Sequence, residues 1–245
     1  MNFSAVKTAL KKNKILNSAV FFDSIGSTSQ YLKDNDFATG TVVAAAKQTA
    51  GRGKHGAGWV SGEGGLWFSY VINKKIQKPY IFVILSSVAV AQALKEAGIE
   101  PVIKWPNDIM ARGKKISGML IENDAYNSKL VTGIGINVNN DTPEGHGINA
   151  VSMKDLAGEK VDAGALLISI VKKIDSYISR LPAVKKKLIA SWVKYQGHIG
   201  GTVISLNRGN KKMSFEVIRT LNSGELKVKD GRGKTRLLSG EVFFK

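Results

Sequence analysis

The segment Gly51-Arg52-Gly53-Lys54-His55-Gly56-Ala57-Gly58-Trp59 puts four glycines, an arginine, a lysine and a histidine into nine residues. Glycine lets successive backbone N–H groups turn toward an anion, and cationic side chains neutralise its charge. Such a loop is expected to be mobile when empty and to order over a ligand. A basic surface turn has the same composition. A second cluster, Lys104-Trp105-Pro106-Asn107-Asp108, brings a lysine suited to phosphate to the end of a strand. Its proline halts pairing and presents Asn107 and Asp108 to a metal-bound water or a ribose. Taken alone, a strand-ending turn explains the same residues. In Lys114-Lys115-Ile116-Ser117-Gly118-Met119-Leu120-Ile121-Glu122 a lysine pair opens an apolar strand, so that one lysine can enter a cleft while the other is solvated. Two surface lysines are the ordinary alternative. The fourth cluster, Gly133 to Asn139, is a strand whose glycines allow a flat ligand close approach, or simply tight sheet packing.

These clusters need a scaffold, and the pattern predicts one. A short helix is expected over Ala5–Lys12 and a strand over Ala19–Phe22. Ser27-Thr28-Ser29-Gln30 reads as a capping box opening a helix. Thr41–Ala46 is β-rich, and Leu66, Phe68, Tyr70 and Ile72 alternate onto one strand face. Pro79 opens a helix that stops at Gly98, followed by strands at Val102–Trp105, Gly118–Glu122 and Leu130–Asn137. Asn139 to Gly147 is a loop by composition. Asp162 caps a helix whose apolar spacing runs to Pro182, and a second helix covers Ala183–Gln196. Beyond Gly197 the texture changes to short strands (Thr202–Leu206, Met213–Leu221, Glu225–Lys229 and Thr235–Val242) separated by turns at Arg208-Gly209-Asn210, Asn222-Ser223-Gly224 and Asp230-Gly231. The fold class expected is α+β, a mixed sheet flanked by helices with a small C-terminal β-barrel. Residues 1–196 would form the main domain and 197–245 the barrel.

Bulk properties narrow the chemistry. Hydrophobic residues make up 43% of the chain, enough for a packed core. With no cysteine, disulfides, Cys-ligated zinc and thiol nucleophiles are excluded together. His55, His146 and His198 show no ligand spacing. Apolar runs such as Ile81–Val90 fall short of a membrane span, and Met1–Asn17 lacks the apolar stretch of a signal peptide, so a cytoplasmic protein without membrane partners is expected. Thirty-six Lys and Arg against 19 Asp and Glu give a net charge of +17, which favours anionic partners without choosing among them.

The order and spacing of the clusters are more specific than any one of them. From about Phe22 to Asn139 the chain resembles the biotin protein ligase family. That family's pattern is a Ser-Thr pair opening a helix, a Gly-Arg-Gly-Arg loop, Lys-Trp-Pro-Asn-Asp, Lys-x-x-Gly and Gly-x-Gly-x-Asn. The corresponding residues are Ser27-Thr28, Gly51-Arg52-Gly53-Lys54, Lys104 to Asp108, Lys115 to Gly118, and Gly133 to Asn137. Gly240-Glu241-Val242 matches the end of the SH3-like barrel that closes many members. The resemblance implies a class II tRNA synthetase-like core and a ligase that activates biotin with ATP and Mg2+, then passes it to a lysine of a biotin carboxyl carrier protein. It further implies that Ser27, Thr28 and Gln48 bind the ureido ring, which needs both donors and acceptors in an apolar slot, and that Ser29 belongs to the biotin site. Arg52, Gly53, Lys54, Lys115 and Gly118 complete the biotin site. Lys54, Trp59, Lys104, Asn107, Asp108, Lys115 and Asn137 fall to ATP, and Lys115, Arg52 and Lys54 to catalysis. Lys54 stands where the family has arginine, so a planar two-pronged contact is lost there. Too few residues precede the core for the helix-turn-helix of repressor-type members, so specific DNA binding is not expected. A homodimer is compatible with the resemblance. Two rivals stay open at this point: a lipoate ligase, with the same chemistry, and a nucleic-acid-binding module, favoured by charge and the small barrel.

Overall fold

The structure is a computed structural model and describes residues 1–124, 126–142, 149–197, 202–206, 212–221, 223–238 and 242–244. The chain begins with α1 (Phe3–Leu10), β1 (Ser18–Ile25), α2 (Thr28–Asp34), β2 (Thr41–Gln48) and β3 (Leu66–Asn73). The long helix α3 (Tyr80–Glu96) leads into β4 (Val102–Lys104), β5 (Asp108–Ala111), β6 (Lys114–Asp124) and β7 (Lys129–Ile136). Helices α4 (Met153–Ala157), α5 (Ala163–Ser179) and α6 (Leu181–Lys194) follow. The tail comprises β8 (Thr202–Leu206), β9 (Lys212–Thr220), β10 (Leu226–Asp230), β11 (Thr235–Leu238) and β12 (Val242–Phe244).

Among the described residues, seven strands form a sheet in the order β1-β2-β3-β7-β6-β5-β4. Only β1 and β2 run parallel; the other neighbours are antiparallel, as short hairpins at β4–β5, β5–β6 and β6–β7 require. Leu66, Phe68, Tyr70 and Ile72 of β3 face the main core with α1, α3, α5 and α6, as the alternation predicts. The opposite face of the sheet carries α2, with Leu32, Val43, Val71 and Val131 as a second small core. Helix α3 is buried on nearly all sides, including Phe82, Ile84, Leu85 and Leu94, and each such side chain contributes roughly 1.5–3 kcal/mol by leaving water. Tyr70 sits wholly inside, its hydroxyl hydrogen-bonded with Ser86 at 2.9 Å, and burial pushes its pKa up to about 12. A buried carboxylate, Asp175 of α5, accepts from the backbone N–H groups of Lys14, Ile15 and Leu16 at 2.7–3.0 Å and so fixes the chain's entry into β1.

Strands β8 to β12 form a small antiparallel sheet in the order β11-β10-β9-β8-β12. Closure into the expected barrel is not seen among the described residues. Its Phe215, Val217, Leu226 and Val228 belong to the same core cluster as the large sheet. Trp105 Nε1 donates to Gly224 O at 2.9 Å, a direct tie between the two sheets. No helix among the described residues is long and apolar enough to cross a membrane.

Several expectations need correction. The Ser27–Gln30 capping box is half formed: Ser27 Oγ accepts from Gln30 N at 3.4 Å, but the Gln30 side chain donates to Asp34 instead of reaching back. The complete box lies at Ser152 and Asp155, opening α4, a helix the sequence reading did not identify. Pro182 sits in the first turn of α6, where a missing N–H costs nothing, and does not end the preceding helix. Pairing resumes at Asp108, which faces Lys104 across β4–β5, so the Pro106 turn is a hairpin tip and not the end of the sheet there. The strand expected over Thr235–Val242 divides into β11 and β12. His146, His198, Asn222, the Arg208-Gly209-Asn210 turn, Gly240-Glu241 and the part of the Asn139–Gly147 loop from residue 143 onward lie outside the described residues.

Candidate active site

A cavity of about 720 Å³ opens on the α2 face of the large sheet. Of the residues that the resemblance assigns to biotin, ATP or catalysis, all line it except Asn137. The elements explain why. Ser27 caps helix α2, so Ser27, Thr28 and Ser29 sit at a helix N-terminus, with Thr28 beside Gln48 at the end of β2 and Ser69 in the middle of β3. The glycine-rich segment bridges the mouth, and β6, β7 and the β4–β5 hairpin supply the far wall.

The near wall is neutral and internally hydrogen-bonded. Gln48 Oε1 accepts from Thr28 N at 2.8 Å and from Thr28 Oγ1 at 3.1 Å, while Gln48 Nε2 donates to Ser61 Oγ at 2.8 Å. Thr28 Oγ1 also lies 2.8 Å from Ser69 Oγ. Ser27 Oγ and Ser29 Oγ are 3.1 Å apart, and one of their two protons suffices for that contact. The second serine proton and the second Gln48 N–H supply donors, and the hydroxyl lone pairs acceptors, for a small polar ring. Sequence reasoning missed Ser69 and Ser61. Ser69 had a signal, being the one polar residue between Trp67 and Val71 on its strand face.

The far wall is charged. Lys115 Nζ pairs with Asp108 Oδ1 at 2.8 Å and lies 4.9 Å from the Trp59 ring centroid. Backbone contacts pin Lys115 from behind: its N–H donates to Asn149 O at 2.8 Å and its carbonyl accepts from Val151 N at 3.0 Å. Asn107 is buried and donates from Nδ2 to Met119 O at 2.7 Å, fastening the β4–β5 turn to β6. The Trp105–Pro106 peptide within that turn is cis. Lys104 and Lys54 also line the cavity.

The loop itself is a small hairpin. Gly53 N donates to Ala57 O at 2.7 Å and Trp59 N to Gly51 O at 2.9 Å, with a single turn of 3-10 helix at Lys54–Gly56. Two strand glycines, Gly118 and Gly135, are approached closely by the protein's own Trp59. A Cβ on Gly135 would stand 2.5 Å from Trp59 Nε1, and one on Gly118 would stand 2.9 Å from Cζ3. Trp59 thus anchors the loop on the sheet while forming part of the cavity wall.

Asn137 lies elsewhere. It is buried behind β6, with Nδ2 3.5 Å from Lys115 O and Oδ1 accepting from Asn140 Nδ2 at 3.2 Å. It is thus not among the lining residues but within reach of the Lys115 carbonyl.

Comparison with known proteins agrees with this architecture. Residues 21–141 match the model of the biotin/lipoate A/B protein ligase family. The bifunctional ligase/repressor BirA of Bacillus subtilis is 39% identical over 181 residues, a match covering 69% of this chain and 56% of the relative. The biotin--[acetyl-CoA-carboxylase] ligase of Mycobacterium tuberculosis is 30% identical over 174 residues, covering 67% of this chain and 64% of the relative. The matched region thus spans little more than half the length of the curated relatives. The biotin protein ligase of Aquifex aeolicus, solved with biotin and ATP, superposes with a TM-score of 0.84 at 29% identity, over 93% of this chain and 98% of that one. By motif, fold and relatives, the chain belongs to the biotin/lipoate A/B protein ligase family.

Proposed function

We propose that this protein is a biotin protein ligase. The observation that carries the reading is the cavity itself, in which a neutral Ser-Thr-Gln wall faces the Lys115–Asp108 pair beneath a cationic glycine hairpin. In the first half-reaction a biotin carboxylate oxygen attacks the α-phosphorus of ATP, forming biotinyl-5'-AMP and expelling pyrophosphate. The two reactants are both anionic, and Lys115 offsets their repulsion and stabilises charge on the phosphoryl oxygens. Arg52 and Lys54 add cationic charge at the cavity mouth, and Lys104 adds it at the β4–β5 hairpin. In the second half-reaction the amine of a carrier lysine attacks the acyl carbon, AMP leaves, and the amine loses a proton. Closing the hairpin over the mixed anhydride excludes water.

Ser27, Thr28, Ser29 and Gln48 orient the ureido ring, and Gly53 and Gly118 give backbone room along biotin. Trp59 borders the nucleotide. Asp108 is a lining carboxylate, and one carboxylate with substrate phosphates is a donor set that magnesium ordinarily uses. When bound, that ion would neutralise phosphoryl charge. Residues 1–196 serve as the ligase domain and 197–245 as an SH3-like barrel. The partner is a biotin carboxyl carrier protein, and the +17 net charge suits an acidic one because complementary charge accelerates encounter.

Pyrophosphate exchange tests the proposal. Exchange into ATP that requires biotin is expected. Exchange supported by lipoate instead would identify the sister activity, and exchange with neither would remove the ligase reading.

A further inference from the structure

Glu122 lies outside the cavity lining, and none of the roles above uses it. Its Oε1 accepts from Lys33 Nζ at 2.8 Å and forms an ion pair with Arg52 Nη2 at 3.1 Å. Its Oε2 is buried and has no hydrogen-bond partner among the described residues. Gln30 Oε1 accepts from Arg52 Nη1. Lys33 and Gln30 belong to α2 and Glu122 to β6, so the guanidinium is gripped between helix and sheet. Arg52 opens the glycine-rich hairpin, pairing across it with Gly58, and lines the cavity.

A side chain that is 41% exposed on a glycine-rich loop has wide rotamer freedom to lose. A hydrogen bond to Gln30 and an ion pair to Glu122, on separate nitrogens, remove that freedom and leave further guanidinium N–H groups for a substrate anion. Lys33 keeps the cluster cationic overall, so the carboxylate does not repel that anion.

We propose that Glu122 is a positioning residue that tethers Arg52, and through it the glycine-rich hairpin, over the cavity. The tether stands on geometry alone; its consequence for retaining an acyl-adenylate rests on the ligase reading. A purely structural role is distinct, because Glu122 would then serve to join α2 to β6 through Lys33.

The test uses the full chain as wild type, Glu122→Gln, Lys33→Met and the double variant. Amide exchange is followed without ligand at Gly53, Ala57 and Trp59, whose N–H groups are bonded within the hairpin. Release of the intermediate formed from biotin and ATP is followed separately. Glu122→Gln and the double variant should exchange at these amides and release intermediate about fivefold faster, the factor matching about 1 kcal/mol for a partly exposed ion pair. Lys33→Met should leave both rates near wild type. Wild-type rates in Glu122→Gln, or equal acceleration in Lys33→Met, overturn the tether. Should Glu122→Gln fail to fold, the double variant, with both charges removed, carries the same comparison. A wild type that forms no intermediate refutes the ligase reading, while amide exchange still decides the tether.

Discussion

The two walls of the cavity are built on opposite electrostatic plans. Along β2 and β3 the polar atoms of Thr28, Gln48, Ser61 and Ser69 satisfy one another through neutral hydrogen bonds. Toward β5 and β6, Lys115 is paired with Asp108 and Arg52 with Glu122. A neutral wall reads shape and donor–acceptor pattern, and wrong ligands leave its buried groups unpaired. A charged wall gains most where charge builds up, in the transition state. Its carboxylates pair with the cations beforehand, so under the proposed ligase chemistry little reorganisation is needed as phosphoryl charge develops. Selection and rate should therefore separate by wall.

The largest effect is expected at Lys115. Lys115→Ala should remove roughly 3 kcal/mol or more of transition-state stabilisation, measured as exchange rate, with little change in melting temperature of the free protein. A rate within about threefold of wild type, under about 1 kcal/mol, would take Lys115 out of the chemistry. Gly135→Ala comes next. Its methyl would collide with the Trp59 indole, and overpacking of this kind costs about 1–3 kcal/mol. Faster amide exchange across Gly51–Trp59 should report it, and unchanged exchange would show that Trp59 does not anchor the loop.

Thr28→Val should weaken biotin binding by about 1–2 kcal/mol, because it strips a hydroxyl from the neutral wall while leaving the backbone N–H bond to Gln48. Calorimetric titration with biotin checks this. Lys54→Arg restores a planar donor fork and should slow release of the intermediate severalfold at most, about 1 kcal/mol or less; faster release would mark the lysine as an adaptation. The smallest effect concerns Asp155. The Ser152 hydroxyl bond chiefly holds its carboxyl below the usual range. A folded value below the unfolded one stabilises above the unfolded value and loses that stability as pH falls through the folded one. Asp155→Asn should thus lower stability at neutral pH and flatten the decline below about pH 4, seen in melting curves against pH.

Long, strongly patterned elements were legible in the sequence. The alternation in β3, the capped α5 and the apolar run of α3 stand essentially where the residues place them. So does the convergence of Ser27, Gln48, Arg52, Lys104 and Lys115 on one cavity. Short elements were not, since α4 and β5 span five and four residues and carry little periodicity. Asn137 stands apart from the cavity lining for a definite reason. Gly133 and Gly135 line the cavity by strand alternation, but β7 ends at Ile136, and Asn137 turns instead toward Asn140 and the Lys115 carbonyl. The Glu122–Lys33 pair joins residues 89 positions apart, and no local pattern encodes such a pair. Gly135 was read as a site for close approach of a ligand, whereas the group that approaches it in the structure is Trp59, a distant residue of the same chain.

The division between the walls is tested most directly by biotin-dependent pyrophosphate exchange, titrated with biotin at saturating ATP, for wild type, Thr28→Val and Lys115→Ala together. The neutral wall predicts that Thr28→Val raises the biotin KM about tenfold while keeping the maximal rate within about threefold. The charged wall predicts that Lys115→Ala lowers the maximal rate by about 100-fold or more. A loss of maximal rate in Thr28→Val equal to that in Lys115→Ala, or a Lys115→Ala defect confined to KM, would contradict the separation of selection from rate.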